Sequence, residues 1–222
     1  GEFIRQFGSY GQSDGFFASP RGIAVDAEDN VWVVDTNNHR LQEFNSKGEF
    51  VRKFGSVGKE NGQFESLEDV AIDSKGNLWT IDSDLARIQQ FTPEGKFISQ
   101  FGAKGIGKSE LESPQGIAID PEGNVWVANS YDELYSSRIE EFTAKGEFIR
   151  SVGSQGTGNG QFKYPTDLSF DSEGNLWVAD TTNDRIQVFS SEGTYLDKLA
   201  TPGAGDGQLD SPQAIDIDGQ GN

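Results

Sequence analysis

The chain of 222 residues carries 36 acidic against 18 basic side chains, a net charge of −18, with 28 glycines and 34% hydrophobic content. Such acidity repels a phosphate backbone, so generic nucleic-acid binding is excluded and cationic partners or divalent ions are favoured. The lack of cysteine removes disulfides and thiolate sites. No run of eighteen apolar residues offers a membrane span, and a single histidine, His39, rules out a three-histidine metal centre.

In chain order, residues 1–8 (GEFIRQFG) read as a polar outer strand. Gly22 to Asp26 is a short strand of small and β-branched residues, and Ala27 to Asn30 a tight turn. Val31 to Val34 is a continuous apolar run, as expected of a strand buried on both faces. Asp35 to His39 is a polar turn, Arg40 to Phe44 a third strand, and Ser46 to Gly48 a second turn. Glu49 to Phe54 is a fourth, more polar strand, and a glycine-rich loop from Gly55 to Ser66 leads onward.

The same phrase then returns. Asp26, Asp73, Asp120, Asp171 and Asp218 are spaced 47, 47, 51 and 47 residues apart, and Trp32, Trp79, Trp126 and Trp177 each follow their aspartate by six. A period in the forties marks an array of one supersecondary unit. Four antiparallel strands per unit, with hydrophobicity falling outward, predict an all-β propeller with blades at about 20–55, 67–102, 114–153 and 165–200. Strands at 1–8 and 212–222 would belong to a split partial blade. The expectation is four complete blades of a ring of about six, with open sheet edges at Ile4 and Ile215 that invite edge-to-edge self-association.

From Pro20 to Phe44 the phrase P-x-G-I-A-V-D-x-x-x-N-V-W-V-V-D-T-x-N-H-R-L-Q-x-F resembles an NHL repeat, and Asp180 to Phe189 matches it again. The resemblance implies a β-propeller. Families with this repeat include RNA-binding regulators, bacterial sensor ectodomains, bacterial surface proteins and an amidating lyase. It therefore points to an extracellular or bacterial cell-surface location and leaves function to the site itself.

Features common to every unit read as architecture. The marker aspartates precede a turn whose backbone N–H groups they accept. Asp35 with Arg40, Asp82 with Arg87, and Asp180 with Arg185 would brace the second turn. The tryptophans would fill the wedge between blades, and Phe17, Phe64, Leu111, Phe162 and Leu209 would pin the glycine-rich loops.

Function is sought where one unit departs from the others. The loops joining second to third strands lie with the inter-blade loops on one face, and the variable residues gather there. Arg21, Glu68, Asp69, Gln115, Thr166, Asp167 and Gln213 vary freely just before the inner strands and would ring a channel mouth. The third unit carries a four-residue insertion containing Tyr131, Asp132, Glu133 and Tyr135, and there Asn129 replaces the bracing aspartate. Two tyrosines, a leucine and two acids on a projecting loop suggest an interaction tip; the alternative is a drifted loop in which Asp132 or Glu133 re-pairs with Arg138. Tyr164 takes a position that is serine in every other unit.

These features suggest a non-catalytic module binding a protein, peptide or glycan, without cofactor, nucleic acid or membrane insertion. The alternative is a metal-dependent propeller lyase or lactonase, with Ca²⁺ or Mg²⁺ held by Glu68, Asp69 and Asp167. Against it, the lyase relatives rely on histidines that this chain lacks, and the chain has neither a G-x-S-x-G nucleophile motif nor a cysteine.

Overall fold

The computed structural model describes residues 3–130 and 137–218. Blade 1 is β1 (Pro20–Val25), β2 (Val31–Asp35), β3 (Arg40–Phe44) and β4 (Phe50–Phe54). Blade 2 is β5 (Leu67–Ile72), β6 (Leu78–Asp82), β7 (Arg87–Phe91) and β8 (Phe97–Phe101). Blade 3 is β9 (Pro114–Ile119), β10 (Val125–Ser130), β11 (Ser137–Phe142) and β12 (Phe148–Val152). Two-residue strands β13 (Ser154–Gln155) and β14 (Gln161–Phe162) clip the next glycine-rich loop. Blade 4 is β15 (Pro165–Phe170), β16 (Leu176–Asp180), β17 (Arg185–Phe189) and β18 (Tyr195–Leu199), followed by β19 (Thr201–Pro202) and β20 (Gln208–Leu209). Each blade is a four-stranded antiparallel sheet in sequence order, as the spacing predicts for an all-β propeller chain.

The turn between first and second strands is built by the marker aspartate. Asp171 Oδ1 accepts the N–H groups of Glu173 and Asn175 at 2.9 and 2.8 Å, and its Oδ2 accepts Asn175 Nδ2 at 3.0 Å and Trp177 Nε1 at 2.9 Å. Asp26, Asp73 and Asp120 likewise bind the asparagine four residues on and the indole six residues on. The turn needs a left-handed residue, supplied by Gly76, Gly123 and Gly174, with Asp29 adopting φ +62° in the first blade. One aspartate thus fixes the hairpin and aims the tryptophan.

The chain forms two compact units, Gly1–Gln100 and Phe101–Asn222. In the first, Trp32, Val34 and Leu41 of blade 1 share one core with Leu67, Val70, Leu78 and Phe91 of blade 2. In the second, Trp126, Ala128 and Ile139 of blade 3 meet Leu168, Leu176, Val178 and Phe189 of blade 4. Trp32, Trp79 and Trp126 are at most 2% exposed, so they are wedges rather than stacking platforms. Phe64, Leu111 and Phe162 are fully buried, as loop pins should be.

Of the strands read from the sequence at 1–8 and 212–222, the described parts, 3–8 and 212–218, join no sheet among the described residues. A ladder needs a neighbouring strand, and none is described beside them. Phe7 nevertheless stacks on Phe44 with ring centroids 4.8 Å apart, and Arg5 donates to the Ser46 carbonyl at 2.8 Å. Arg150 of β12 reaches the Ser191 carbonyl in the same way. Residues 3–8 therefore take the place of an outer strand against blade 1.

Candidate functional site

Inner strands lie side by side within each unit, so the variable residues before them meet in groups. In the first unit Arg21 pairs with Glu68, whose other carboxylate oxygen accepts Ser66 Oγ at 2.8 Å and Ser83 Oγ at 2.9 Å. Glu68 is only 7% exposed while the Arg21 side chain is 55% exposed. Asp69 accepts the Val70 N–H at 2.8 Å. Gly22 opposite has no alternative residue without movement, because a Cβ there would stand 2.6 Å from Asp69 Cα.

In the second unit Gln115 folds back onto Ser113 Oγ at 3.1 Å. Thr166 Oγ1 lies 2.8 Å from the Gln213 carbonyl and 2.6 Å from Thr181 Oγ1, which lies 2.8 Å from the Pro212 carbonyl, so two hydroxyl protons are shared over three contacts. Asp167 Oδ1 accepts the Leu168 N–H and Oδ2 the Ile215 N–H, both at 2.8 Å. Burial pushes the Asp167 carboxyl up to about 6, with Asp216 adding repulsion against the opposing pull of the two amides. The structure thus gathers Arg21 with Glu68 and Asp69, and Thr166 and Asp167 with Gln213. In both groups the polar atoms fasten neighbouring strands. The carboxylates that a metal-dependent lyase would need are already engaged by serines, an arginine and backbone amides. Among the described residues no group of three or more His, Asp or Glu side chains is placed to hold a metal ion.

The inserted loop is the second candidate. Tyr131, Asp132, Glu133 and Tyr135 lie outside the described residues. Its two feet are described, and both grip the start of blade 4. Ser130 Oγ donates to the Pro165 carbonyl at 2.5 Å, and the Tyr164 N–H donates to Ser137 Oγ at 3.1 Å. Tyr164 itself is 41% exposed at φ +54°. That left-handed conformation is rare for a bulky aromatic residue, and Ser19 and Ser211 adopt it at the equivalent place with φ +51°. Blade 4 therefore presents a ring at the foot of the insertion from a position where serine would be easier to accommodate.

The brace beside the insertion is rebuilt by a residue that the sequence reading passed over. In blades 1 and 4 an aspartate pairs with arginine, Asp35 with Arg40 at 2.7 Å and Asp180 with Arg185 at 2.8 Å. A glutamine also reaches that carboxylate, Gln42 and Gln187 each at 3.0 Å. In blade 3 the charge has changed strands. Arg138 pairs with Glu140 at 3.0 Å, at the place of the glutamine, and Asn129 donates to Glu140 at 2.9 Å. Glu140 thus pairs with the guanidinium because the buried register puts it there, while Asp132 and Glu133 lie outside the described residues. The signal was present in the repeats: Gln42, Gln89 and Gln187 align with Glu140, just where Asp becomes Asn129. Burial raises the Glu140 carboxyl, against the pull of Arg138 and Asn129. In blade 2 the expected brace is not formed: both Asp82 oxygens take backbone amides, of Glu65 and Ser66, and Arg87 bonds only the carbonyls of Lys59, Glu60 and Gln63 and the Gln100 side chain, its Nε left without a partner among the described residues.

Residues 17–44 and 162–189 match the NHL repeat model. Two of the chain's four blades carry NHL repeats. The repeats of blades 1 and 4 are thus the two that match the family pattern, and the two between them share its architecture. Over 43 residues, 19% of its length, the chain is 46% identical to the Protein brain tumor of Drosophila melanogaster and 44% identical to the B-box type zinc finger protein ncl-1 of Caenorhabditis elegans. Those stretches cover 4% and 5% of the two proteins. Among solved structures it is similar to a streptogramin B lyase, at TM-score 0.63 and 18% identity over 82% of this chain. It is also similar to virginiamycin B lyase from Staphylococcus aureus, at 0.65 and 19% over 91%. The chain spans 55% and 61% of those two structures, and identity at this level speaks for the fold alone.

Proposed function

We propose that this NHL-repeat chain is a recognition module that binds a protein or peptide through its loop face, centred on Tyr164 and the insertion rooted beside it. The observation that carries this reading is an adjacency. The contact by which Asp184 accepts the Ser211 N–H in the following repeat is made here by Ser137 to the Tyr164 N–H, and it sets the one departure in repeat length beside the one departure from serine. Exposed tyrosines on a rigid scaffold make large contacts at low entropic cost. The insertion adds two further tyrosines and a leucine to that neighbourhood in sequence. A glycan would use the same aromatic surface.

The test is selection from a random peptide display library, with a glycan array run in parallel. Ligands enriched on the wild-type chain should bind a Tyr131→Ala, Tyr135→Ala, Tyr164→Ser variant at least tenfold more weakly, with the variant's melting temperature unchanged or raised. Ligands that bind both proteins equally would remove this face from the site. Enrichment confined to the array would reassign the partner to glycans.

A further inference from the structure

We infer that Asn61 and Asn159 are sites of intramolecular deamidation, each held in check in the folded chain by a buried glutamine, Gln89 and Gln187 respectively. Both asparagines are exposed, and each is followed by a glycine, Gly62 and Gly160, whose nitrogen no side chain shields. In the reaction that nitrogen loses its proton and attacks the asparagine Cγ. A C–N bond forms to the backbone, the bond to the side-chain nitrogen breaks, and ammonia leaves with a proton. Water then opens the five-membered imide at either carbonyl, giving aspartate or isoaspartate. Water is the only co-reactant.

Two features of the glycine-rich loops oppose the attack. The first is a latch. Gly62 donates its N–H to Gln89 Oε1 and Gly160 its N–H to Gln187 Oε1, both at 2.9 Å. Each glutamine is fixed in turn through its Nε2, to the Gln63 carbonyl at 3.0 Å and the Gln161 carbonyl at 2.7 Å, and is at most 1% exposed. A nitrogen that gives up its proton loses this bond, so the latch opposes the step that makes the nucleophile. The second feature is the turn. Gln63 donates its N–H to the Glu60 carbonyl at 3.0 Å and Gln161 to the Gly158 carbonyl at 3.1 Å, closing turns in which only the second central residue is left-handed, Gly62 at φ +77° and Gly160 at φ +74°. Such a turn holds its first central residue, the asparagine, at ψ of about +120°. The asparagine Cβ then points away from the next nitrogen, whereas the imide ring needs the two eclipsed. Reaction therefore waits on local opening of the loop.

The first loop shows what the products would meet. Asp14 stands at this place before blade 1, where it pairs with Lys53 and lies 3.7 Å from Arg40 Nη1. The same offsets from Asn159 lead to Arg185 and Lys198, so an aspartate at 159 would find both cations. From Asn61 they lead to Arg87 and Gln100, so an aspartate at 61 would find one. An isoaspartate, with one more carbon in the backbone, would break either turn.

The test incubates the folded chain in mildly alkaline buffer beside the chain unfolded in guanidinium chloride. Each asparagine is followed by peptide mass spectrometry, with isoaspartyl methyltransferase labelling to separate the two products. Both sites should convert at least roughly tenfold more slowly in the folded chain. Gln89→Ala should speed Asn61 about threefold or more and leave Asn159 unchanged, and Gln187→Ala should do the reverse. The untouched asparagine in each variant reports whether the whole fold has loosened. Equal rates in the folded and unfolded chains, or latch variants that convert at the wild-type rate, would overturn the inference. Should a variant fail to fold, hydrogen exchange in the wild-type chain decides: the Gly62 and Gly160 amides should be protected by about the factor that slows their asparagines. A freely exchanging glycine amide beside a stable asparagine counts against the latch.

Discussion

Four donors converge on Asp26, Asp73 and Asp171, and Asp73 shows what that does to the acidity of a marker aspartate. Burial alone would raise its carboxyl, but bonds from Asn77, Trp79 and Lys75 together outweigh it and hold the group below its ordinary value. Asp26 and Asp171 are lowered by the same balance. A carboxyl lowered in the folded state contributes stability that is present above its unfolded value and lost as pH falls through the folded one. Replacing Asp73 with Asn puts an N–H where the indole and the Asn77 amide both donate. That change should cost about 2 kcal/mol in urea unfolding near pH 7 and less at a pH below the ordinary value of 3.8. An equal loss at both pH values would show that shape rather than charge holds the turn. The exchanged brace in blade 3 gives a second test. Asn129→Asp would set two carboxylates against one buried guanidinium, and Glu140→Gln would leave Arg138 without its acid. Each should cost about 3 kcal/mol, whereas the double change restores the Asp–Gln arrangement of blades 1 and 4 and should recover most of the loss. Additive losses in the cycle would mean that the two positions do not exchange roles.

At the level of the element, the glycine-rich loops repeat a clasp with one exception. Gln63 Oε1 accepts the Glu60 N–H at 3.0 Å, and Glu110, Gln161 and Gln208 accept the corresponding amides of Gly107, Gly158 and Gly205. The first loop has Phe16 at that position, 41% exposed and lying over Gly11. Phe16→Gln should restore the bond and raise stability by about 1 kcal/mol, read as a higher urea midpoint with an unchanged slope. A lower midpoint would show that the ring stabilises the loop more than the clasp does. The strands were legible in the sequence because β-branched runs, tryptophans and turn glycines recur at one offset. The marker aspartate's role in the turn was legible for the same reason. Its bond to the indole was not, since only the hairpin register brings Trp32 back over Asp26. The exchange between Asn129 and Glu140 also depends on register: residues eleven apart touch only because β10 and β11 pair. Of the candidate site, the sequence singled out Tyr164 and the insertion. It gave no sign that the mouth residues would spend their polar atoms on neighbouring strands, because such bonds run between units 47 residues apart.

For the molecule as a whole, the decisive quantity is charge. Residues 1–100 hold 16 acidic and 10 basic side chains, and residues 101–222 hold 20 and 8. Many of the basic ones are already committed: Arg40, Arg138 and Arg185 to buried carboxylates, and Arg52 and Arg150 to Glu43 and Glu141. The surplus acids face water and repel one another, and they do so most in the second unit. Raising salt from about 0.01 M to about 1 M shortens the screening length from about 30 Å to about 3 Å. Surface repulsion is then removed, while the buried Asp35–Arg40 and Asp180–Arg185 pairs, screened much less, are retained. Melting temperature should therefore climb with sodium chloride, by roughly 2–4 °C for each kcal/mol of repulsion relieved. Calorimetry that resolved two transitions would show the larger rise in the more acidic unit. A fall with salt would mean that exposed ion pairs such as Lys59–Glu65 outweigh the excess of like charge, and that the acidity of this chain is not a load on its folded state.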